Sequence, residues 1–333
     1  MLRHALWGLV IFAALGACGL TAAVLMVASS PPPMPPESDV FGFAKTGGKP
    51  PQHLPPLQQY RARDGEALSY RFYEAASERI LIFVHGSSYH GGGYHELAAQ
   101  VAASGAARVV LPNLRGHYLS GRQRGDVDHI GQYEEDLVDL IRVLRAQGHR
   151  GPIVIGGHSS GGGLVLRFAG GEGPRQEPIA GFVALAPIIP RTPAVRGGNA
   201  GGWNVLHLRR IIGLVALNIL GIHGFDGLPV IAFNKPAGSW DGTETLTYSW
   251  RLNVSYHPRN SYAADVQAMP PGSLVLVGER DEAIDPQALG SVLKEANYRG
   301  AFEILPETSH FGIFRDPKAL ARVSDYLATV PLR

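Results

Sequence analysis

Gly157-His158-Ser159-Ser160-Gly161 sets a serine between glycines, with Gly156 before it and Gly162 after it. A strand-like run, IVIG, enters this segment and a helix-like run, GGLVLRFA, leaves it. G-x-S-x-G between strand and helix is a nucleophile elbow: the turn is too tight for bulky neighbours, and the serine hydroxyl stands clear of it. A hydroxyl so placed can attack a carbonyl. The helix that follows offers unpaired N–H groups and a positive dipole end to the oxyanion that develops. Ser159 is therefore the candidate nucleophile. Ser160 is the rival, but it holds the x position, where its backbone N–H is the useful group. A phosphate-binding turn is the other use of such glycines, and neither G-x-x-x-x-G-K-[ST] nor G-x-G-x-x-G is present.

The surrounding chain supplies the frame. Strands are expected at Leu68–Tyr73 (an edge strand), Ile80–Val84, Arg108–Leu111, Ile153–Gly156, Phe182–Ala186, Leu274–Val277 and Ala301–Leu305. Helices are expected at Tyr94–Ser104, Gly131–Gln147, Ser160–Ala169, Pro286–Asn297 and Pro317–Ala328. Continuous apolar runs such as ILIFV suit strands buried on both faces. Alternation of this kind predicts an α/β fold, with a mostly parallel sheet covered by helices on both sides. From Pro187 to about Pro258 the alternation stops. This stretch is rich in Gly, Pro and Trp and carries one apolar segment, Val205–Leu220, so it reads as a cap inserted over one end of the sheet.

With 45% hydrophobic and 17% charged residues among 333, the chain is neither disordered nor fibrous. A net charge of +2 gives no basic surface for nucleic acid, and a single cysteine allows neither an internal disulfide nor a Cys-rich zinc site. Mean hydropathy is high for a soluble enzyme, at +0.01. Part of the excess lies at the N-terminus, where Ala5 to Ala28 is apolar and uncharged. As a helix it would reach about 36 Å, enough to cross a hydrocarbon core of about 30 Å. The run is longer than the core of a cleaved signal peptide. Leu15-Gly16-Ala17-Cys18 looks like a lipobox, yet the chain stays apolar after Cys18. An uncleaved signal anchor is the favoured reading, with one N-terminal transmembrane helix. Arg3 before the run, and Glu37 and Asp39 after it, favour an exported body, periplasmic or extracytoplasmic. Residues 1–30 are thus read as anchor or signal. Residues 31–56 are read as a stiff Pro-rich linker holding the body off the anchor, and 57–333 as the body.

From Leu57 to the C-terminus the chain resembles the α/β-hydrolase family. It is most similar to the lysophospholipase and monoacylglycerol lipase-like branch, which includes serine aminopeptidases. That resemblance implies an eight-stranded type of sheet, and a nucleophile, acid and histidine in that order. In SLVLVGERDEAIDP, Asp281 is the third residue after Gly278 and matches the family acid. Asp285 competes, but it precedes Pro286 and suits a helix N-cap, as does Asp316 before Pro317. In PETSHFGIF, His310 matches the family histidine, with Asp281 behind its ring and Ser159 before it. The residue after the family's HG supplies one oxyanion N–H, which carries over to Ser87, with Ser160 giving the second. His90-Gly91-Gly92-Gly93 resembles the HGGG of another esterase branch, but lies five residues beyond the strand position. Asn113-Leu114-Arg115-Gly116-His117 resembles the family's D-x-R-G-H with Asn in place of the acid. His85 and His158 read as packing residues. The spacing of His85, His90 and His95 fits no common metal pattern.

The reaction so implied is hydrolysis of a carboxylic ester, of the lysophospholipid or monoacylglycerol type, without metal or organic cofactor. An amide substrate, or acyl transfer to an alcohol, would use the same residues. A noncatalytic binding module on the same fold is the other class, and Ser, Asp and His in order argue against it. Ile211–Ile222 is too short to span a bilayer. It reads as a buried helix, or as a lid that lines an acyl pocket shaped by Trp203, Phe225, Phe233 and Trp240 or rests on the membrane with Arg209 and Arg210 at the headgroups.

Overall fold

Apolar β-branched runs with no polar face can only be strands covered on both sides, and they occupy the middle of the sheet. The computed structural model describes residues 2–37, 39–43, 53–197 and 202–332, leaving out the side chains of 2–6, 8–11 and 13. The strands are β1 (Leu57–Arg61), β2 (Ala67–Tyr73), β3 (Ile80–Val84), β4 (Arg108–Asn113), β5 (Ile153–His158), β6 (Gly181–Leu185), β7 (Asn204–Leu206), β8 (Pro229–Phe233), β9 (Thr247–Ser249), β10 (Leu274–Gly278) and β11 (Ala301–Leu305). Eight of them form one sheet in the order β1-β2-β4-β3-β5-β6-β10-β11. From β4 to β11 all neighbours are parallel, while β2 is antiparallel to both β1 and β4. Every residue of β3, β5, β6 and β10 is buried.

The expected edge strand, Leu68–Tyr73, is not at the edge. β1 lies outside it, and of LQQYR only Tyr60 is buried, too polar a run to show a strand's alternation. The expected helix Tyr94–Ser104 divides into a 3₁₀ turn, Gly91–Tyr94, and a helix, His95–Ala103. Val205–Leu220 divides as well. Its first residues form β7, and His207 caps a helix, Leu208–Ile219, by accepting the N–H of Arg210. β7, β8 and β9 make a small antiparallel cap sheet, with strands of three to five residues that carry little sequence signal.

The N-terminal run forms a helix, Leu2–Ala28. Among the described residues no helix is long and apolar enough to cross a membrane. Part of the expected span has side chains outside them. The helix's last turns pack on the cap, with Ala23 and Val27 in a cluster with Leu214, Leu217 and Val230. Gly213 makes the approach possible, since a Cβ there would lie 2.6 Å from the Ala23 carbonyl oxygen. Arg210 donates to the carbonyls of Val27 (2.9 Å) and Ser29 (3.0 Å), and His207 Nε2 donates to Ser29 O (2.9 Å). These donors satisfy carbonyls that a helix end leaves without partners. The linker therefore does not hold the body away from this helix. It lies on the cap, where Asn234 Nδ2 donates to Pro36 O and the Ala237 N–H to Glu37 Oε1. Residues 38 and 44–52 of the expected Pro-rich linker lie outside the described residues.

Candidate active site

β5 runs into Ser159, which adopts φ 57° and ψ −121°, and the helix Ser160–Ala169 begins at the next residue. A non-glycine residue with positive φ is strained, and the turn holds it only because strand and helix meet closely. A Cβ on Gly157 would sit 2.5 Å from the Gly161 carbonyl oxygen, and one on Gly161 would strike the His85 carbonyl. The glycines of the elbow are thus a packing requirement.

β10 and β11 bring up the other two residues. A Cβ on Gly278 would collide with the Thr308 carbonyl, so only glycine lets the loop after β11 lie against the end of β10. His310 is thereby placed beside Asp281. His310 Nδ1 is 2.8 Å from Asp281 Oδ2, and His310 Nε2 is 2.9 Å from Ser159 Oγ. Asp281 Oδ1 accepts the N–H groups of Ala283 (2.9 Å) and Ile284 (2.6 Å), which fixes the carboxylate in a buried position. The Glu282 carboxylate accepts the His310 N–H at 2.8 Å.

Ser87 follows β3, and its Oγ is 2.6 Å from Ser160 Oγ, so the two residues expected to form an oxyanion hole are neighbours. Ser160 opens its helix, where the first N–H groups have no acceptor one turn back. The alternative HGGG segment has no such groups to offer. Gly91 N–H donates to Asn113 Oδ1, Gly92 N–H to His90 Nδ1 and Gly93 N–H to His90 O.

Buried hydrogen bonds hold these loops. Tyr94 Oη accepts the Gly86 N–H (2.9 Å) and donates to His158 Nδ1 (2.8 Å); His158 Nε2 then donates to His310 O (2.9 Å). Burial pushes the His158 imidazole well below the usual histidine range, and the neighbouring His310 adds to the effect. A neutral ring suits its place in this chain, with one nitrogen accepting and the other donating. On the far side Tyr248 Oη, from β9 of the cap, accepts the Ser88 N–H (2.6 Å) and donates to His117 Nε2 (2.9 Å). Burial pushes His117 down to about 4. Leu114 N–H donates to His85 Nε2, tying the N-x-R-G-H segment to the loop after β3. Arg115 pairs with Asp64 and Asp136.

A family model for alpha/beta hydrolases matches residues 81–323, most of the body just described. The chain belongs to the alpha/beta hydrolase family. It is similar to the monoacylglycerol lipase of Mycolicibacterium smegmatis, 30% identical over 169 residues covering 51% of this chain and 54% of the relative. The monoglyceride lipase of Rattus norvegicus is 29% identical over 147 residues, 43% of this chain and 47% of the relative. The chain therefore spans about half the length of these curated relatives. Among solved structures, a soluble variant of monoglyceride lipase from Saccharomyces cerevisiae in complex with a substrate analog superposes with a TM-score of 0.62 and 18% identity, covering 84% of this chain and 96% of that one. Paleococcus ferrophilus monoacylglycerol lipase gives 0.58 and 20%, covering 79% and 99%. At these identities the likeness speaks for the fold.

In this alpha/beta hydrolase Asp285 does not reach the histidine. Its side chain caps the helix Pro286–Glu295 through Gln287 and Ala288 N–H, and Asp316 caps Pro317–Thr329 in the same way. Of the four cap aromatics, Trp203 and Phe233 are buried, while Phe225 and Trp240 are exposed. Among the described residues no group of three His, Cys, Asp or Glu could hold a metal ion.

Two residues beside the site had no place in the sequence reading. Phe41 stacks on His310, ring centroids 5.3 Å apart and 28° between planes, and Phe43 lies 5.2 Å from Trp203. Both come from the linker. An F-G-F between proline-rich tracts is the signal that could have pointed to them.

Proposed function

We propose that this protein is a membrane-tethered serine hydrolase that cleaves carboxylic esters of the monoacylglycerol or lysophospholipid type. The observation that carries this reading is the single imidazole of His310, within hydrogen-bond reach of both Ser159 Oγ and Asp281 Oδ2. Asp281 holds Nδ1 protonated, which leaves Nε2 free to take the Ser159 proton as Oγ attacks the ester carbonyl. The N–H groups of Ser87 and Ser160 receive the oxyanion. The tetrahedral intermediate collapses, the imidazolium protonates the leaving alkoxide, and an acyl-enzyme remains. His310 then deprotonates a water, which releases the carboxylic acid and restores Ser159. Relatives named as monoacylglycerol and monoglyceride lipases support an ester with one acyl chain.

Tethering is supported by the uncharged run Ala5 to Ala28 and by exposed apolar side chains on the N-terminal helix, Trp7, Phe12 and Leu15 among them. Leu208, Ile212, Val215 and Ile219 of the cap helix form a second exposed apolar stripe, each about one turn from the next. On this reading the catalytic body is exported, and Cys18, exposed at the lipobox-like segment, is the alternative point of attachment through lipid.

A fluorophosphonate probe tests the chemistry. Wild type is expected to become labelled and Ser159→Ala not; equal labelling of both overturns the assignment. A panel of acyl esters and amides then reads the substrate class. The full chain should stay with membranes through alkaline carbonate extraction, and its release would refute the tether.

A further inference from the structure

Phe41 and Phe43 stand where an acyl chain would be expected. Phe41 covers the face of the His310 ring and is 4.8 Å from Phe311 and 5.3 Å from Trp203. Phe43 lies 5.1 Å from Phe311 and 6.4 Å from Tyr89, with Lys235 Nζ 5.8 Å above its ring. Both phenylalanines are buried. The box around them is assembled from three parts of the fold that surround the triad: Tyr89 from the loop after β3, Trp203 from the cap and Phe311 from the histidine loop. None belongs to the linker, so the box would still line the site with residues 39–43 gone. A box of aromatic walls beside the attacking serine suits a flexible apolar chain.

Residues 39–43 are shaped to fill it. Gly42 N–H donates to Asp39 O and Phe43 N–H to Asp39 Oδ1, closing a turn with Gly42 at φ 70° that sends both rings inward. Hydrogen bonds to the cap are made at Pro36 and at Glu37, an exposed residue. A productive ester complex needs space next to His310 Nε2 and Ser159 Oγ for the acyl and leaving groups. With Phe41 stacked on the ring, one face of His310 is covered, and an acyl chain entering along that face must push Phe41 aside.

We infer that Tyr89, Trp203 and Phe311 form the acyl-chain site of this protein, and that Phe41 and Phe43 occupy it as an intramolecular plug which an acyl chain must displace. The inference rests on the ester-hydrolase reading above. It makes the linker part of the substrate site, and it makes activity depend on the strap's release.

Two fluorophosphonates with the same warhead, one methyl and one dodecyl, separate the two ideas. Second-order labelling rates are measured on the full chain as wild type, as Phe41→Ala/Phe43→Ala, and as Glu37→Ala/Asn234→Ala. The last variant removes the hydrogen bonds at Pro36 and Glu37 and replaces none of Tyr89, Trp203 and Phe311. Removing two rings whose burial each contributes severalfold to closure should speed dodecyl labelling about tenfold or more, and methyl labelling less. Cutting the ties should give a smaller rise in the same direction. Should the phenylalanine variant fail to fold, the tie variant alone decides. Rates equal to wild type overturn the plug while leaving the hydrolase standing. Slower dodecyl labelling also overturns it, since the two rings would then be walls of the acyl site. Absence of labelling in wild type and both variants removes the hydrolase reading and the plug with it.

Discussion

Replacing Asp281 by asparagine changes one atom's chemistry and almost no volume. Oδ1 accepts two backbone N–H groups, from Ala283 and Ile284, and Oδ2 faces His310 Nδ1. Those N–H groups can only donate, so the amide oxygen must stay with them, which turns the NH₂ toward Nδ1. Two donors cannot face one another. The imidazole must give up its Nδ1 proton and carry it on Nε2 instead, 2.9 Å from Ser159 Oγ. A protonated Nε2 cannot accept the serine proton. The imidazolium that forms during attack would also lose its neighbouring negative charge. Loss of the orienting carboxylate in a Ser-His-Asp arrangement costs about 10⁴ in kcat, or about 5 kcal/mol of barrier. Asp281→Asn should therefore lower kcat on a p-nitrophenyl ester by about that factor with KM little changed, and circular dichroism should show the fold intact. A variant that keeps more than about a tenth of wild-type kcat would refute the tautomer argument.

Asp285→Ala should behave in the opposite manner: loss of the N-cap costs about 1 kcal/mol of stability, seen in thermal unfolding, and leaves kcat within about twofold. A large loss of kcat would make Asp285 the orienting acid. Burial pushes His90, His117 and His257 down to about 4, so these rings are neutral when folded and protonate near 6.5 when unfolded. The unfolded chain then binds more protons below 6.5, and stability should fall as pH drops from about 6.5 toward 4, by on the order of 1 kcal/mol per pH unit per histidine. Urea midpoints at pH 7 and pH 5 measure it; an unchanged or higher midpoint at pH 5 would contradict this. Gly213→Leu would drive a side chain into Ala23 and Met26 and should part the N-terminal helix from the cap. Proteolysis between Ser29 and Pro36 should quicken by roughly tenfold, and an unaltered cleavage rate would show that the contact survives.

The elbow was legible because its glycines answer to contacts close in sequence: strand, turn and helix stand within twenty residues. The mostly parallel sheet was legible for a similar reason, since ILIFV and LVLVG leave no polar face to expose. Asp281 and His310 are another matter. Spacing alone leaves Asp285 beside Asp281, and the family pattern chooses together with the helix N-cap position of Asp285 before Pro286. What separates the two in the structure is the close approach of Gly278 to the Thr308 carbonyl, a contact across two strands that sets His310 beside Asp281 while Asp285 caps its helix. β1 went unseen because LQQYR buries one residue. The cap sheet went unseen because strands of three to five residues hold little period. Phe41 and Phe43 were hidden by their surroundings: proline content marks 31–56 as a spacer, and composition does not reveal that two of its side chains fold back onto a site assembled by residues more than 40 positions away.

The bonds from His207 and Arg210 to the last carbonyls of the N-terminal helix have a mechanical consequence. A helix joined to a body only by extended chain can swivel, and a pull on it dies out in the slack. Here its end is clamped to the cap, and the cap helix lies alongside it. The two act as one lever with its fulcrum at Gly213. Any torque on the far end, about 30 Å away at a rise of 1.5 Å per residue, is delivered to the cap before the connecting segment comes under tension.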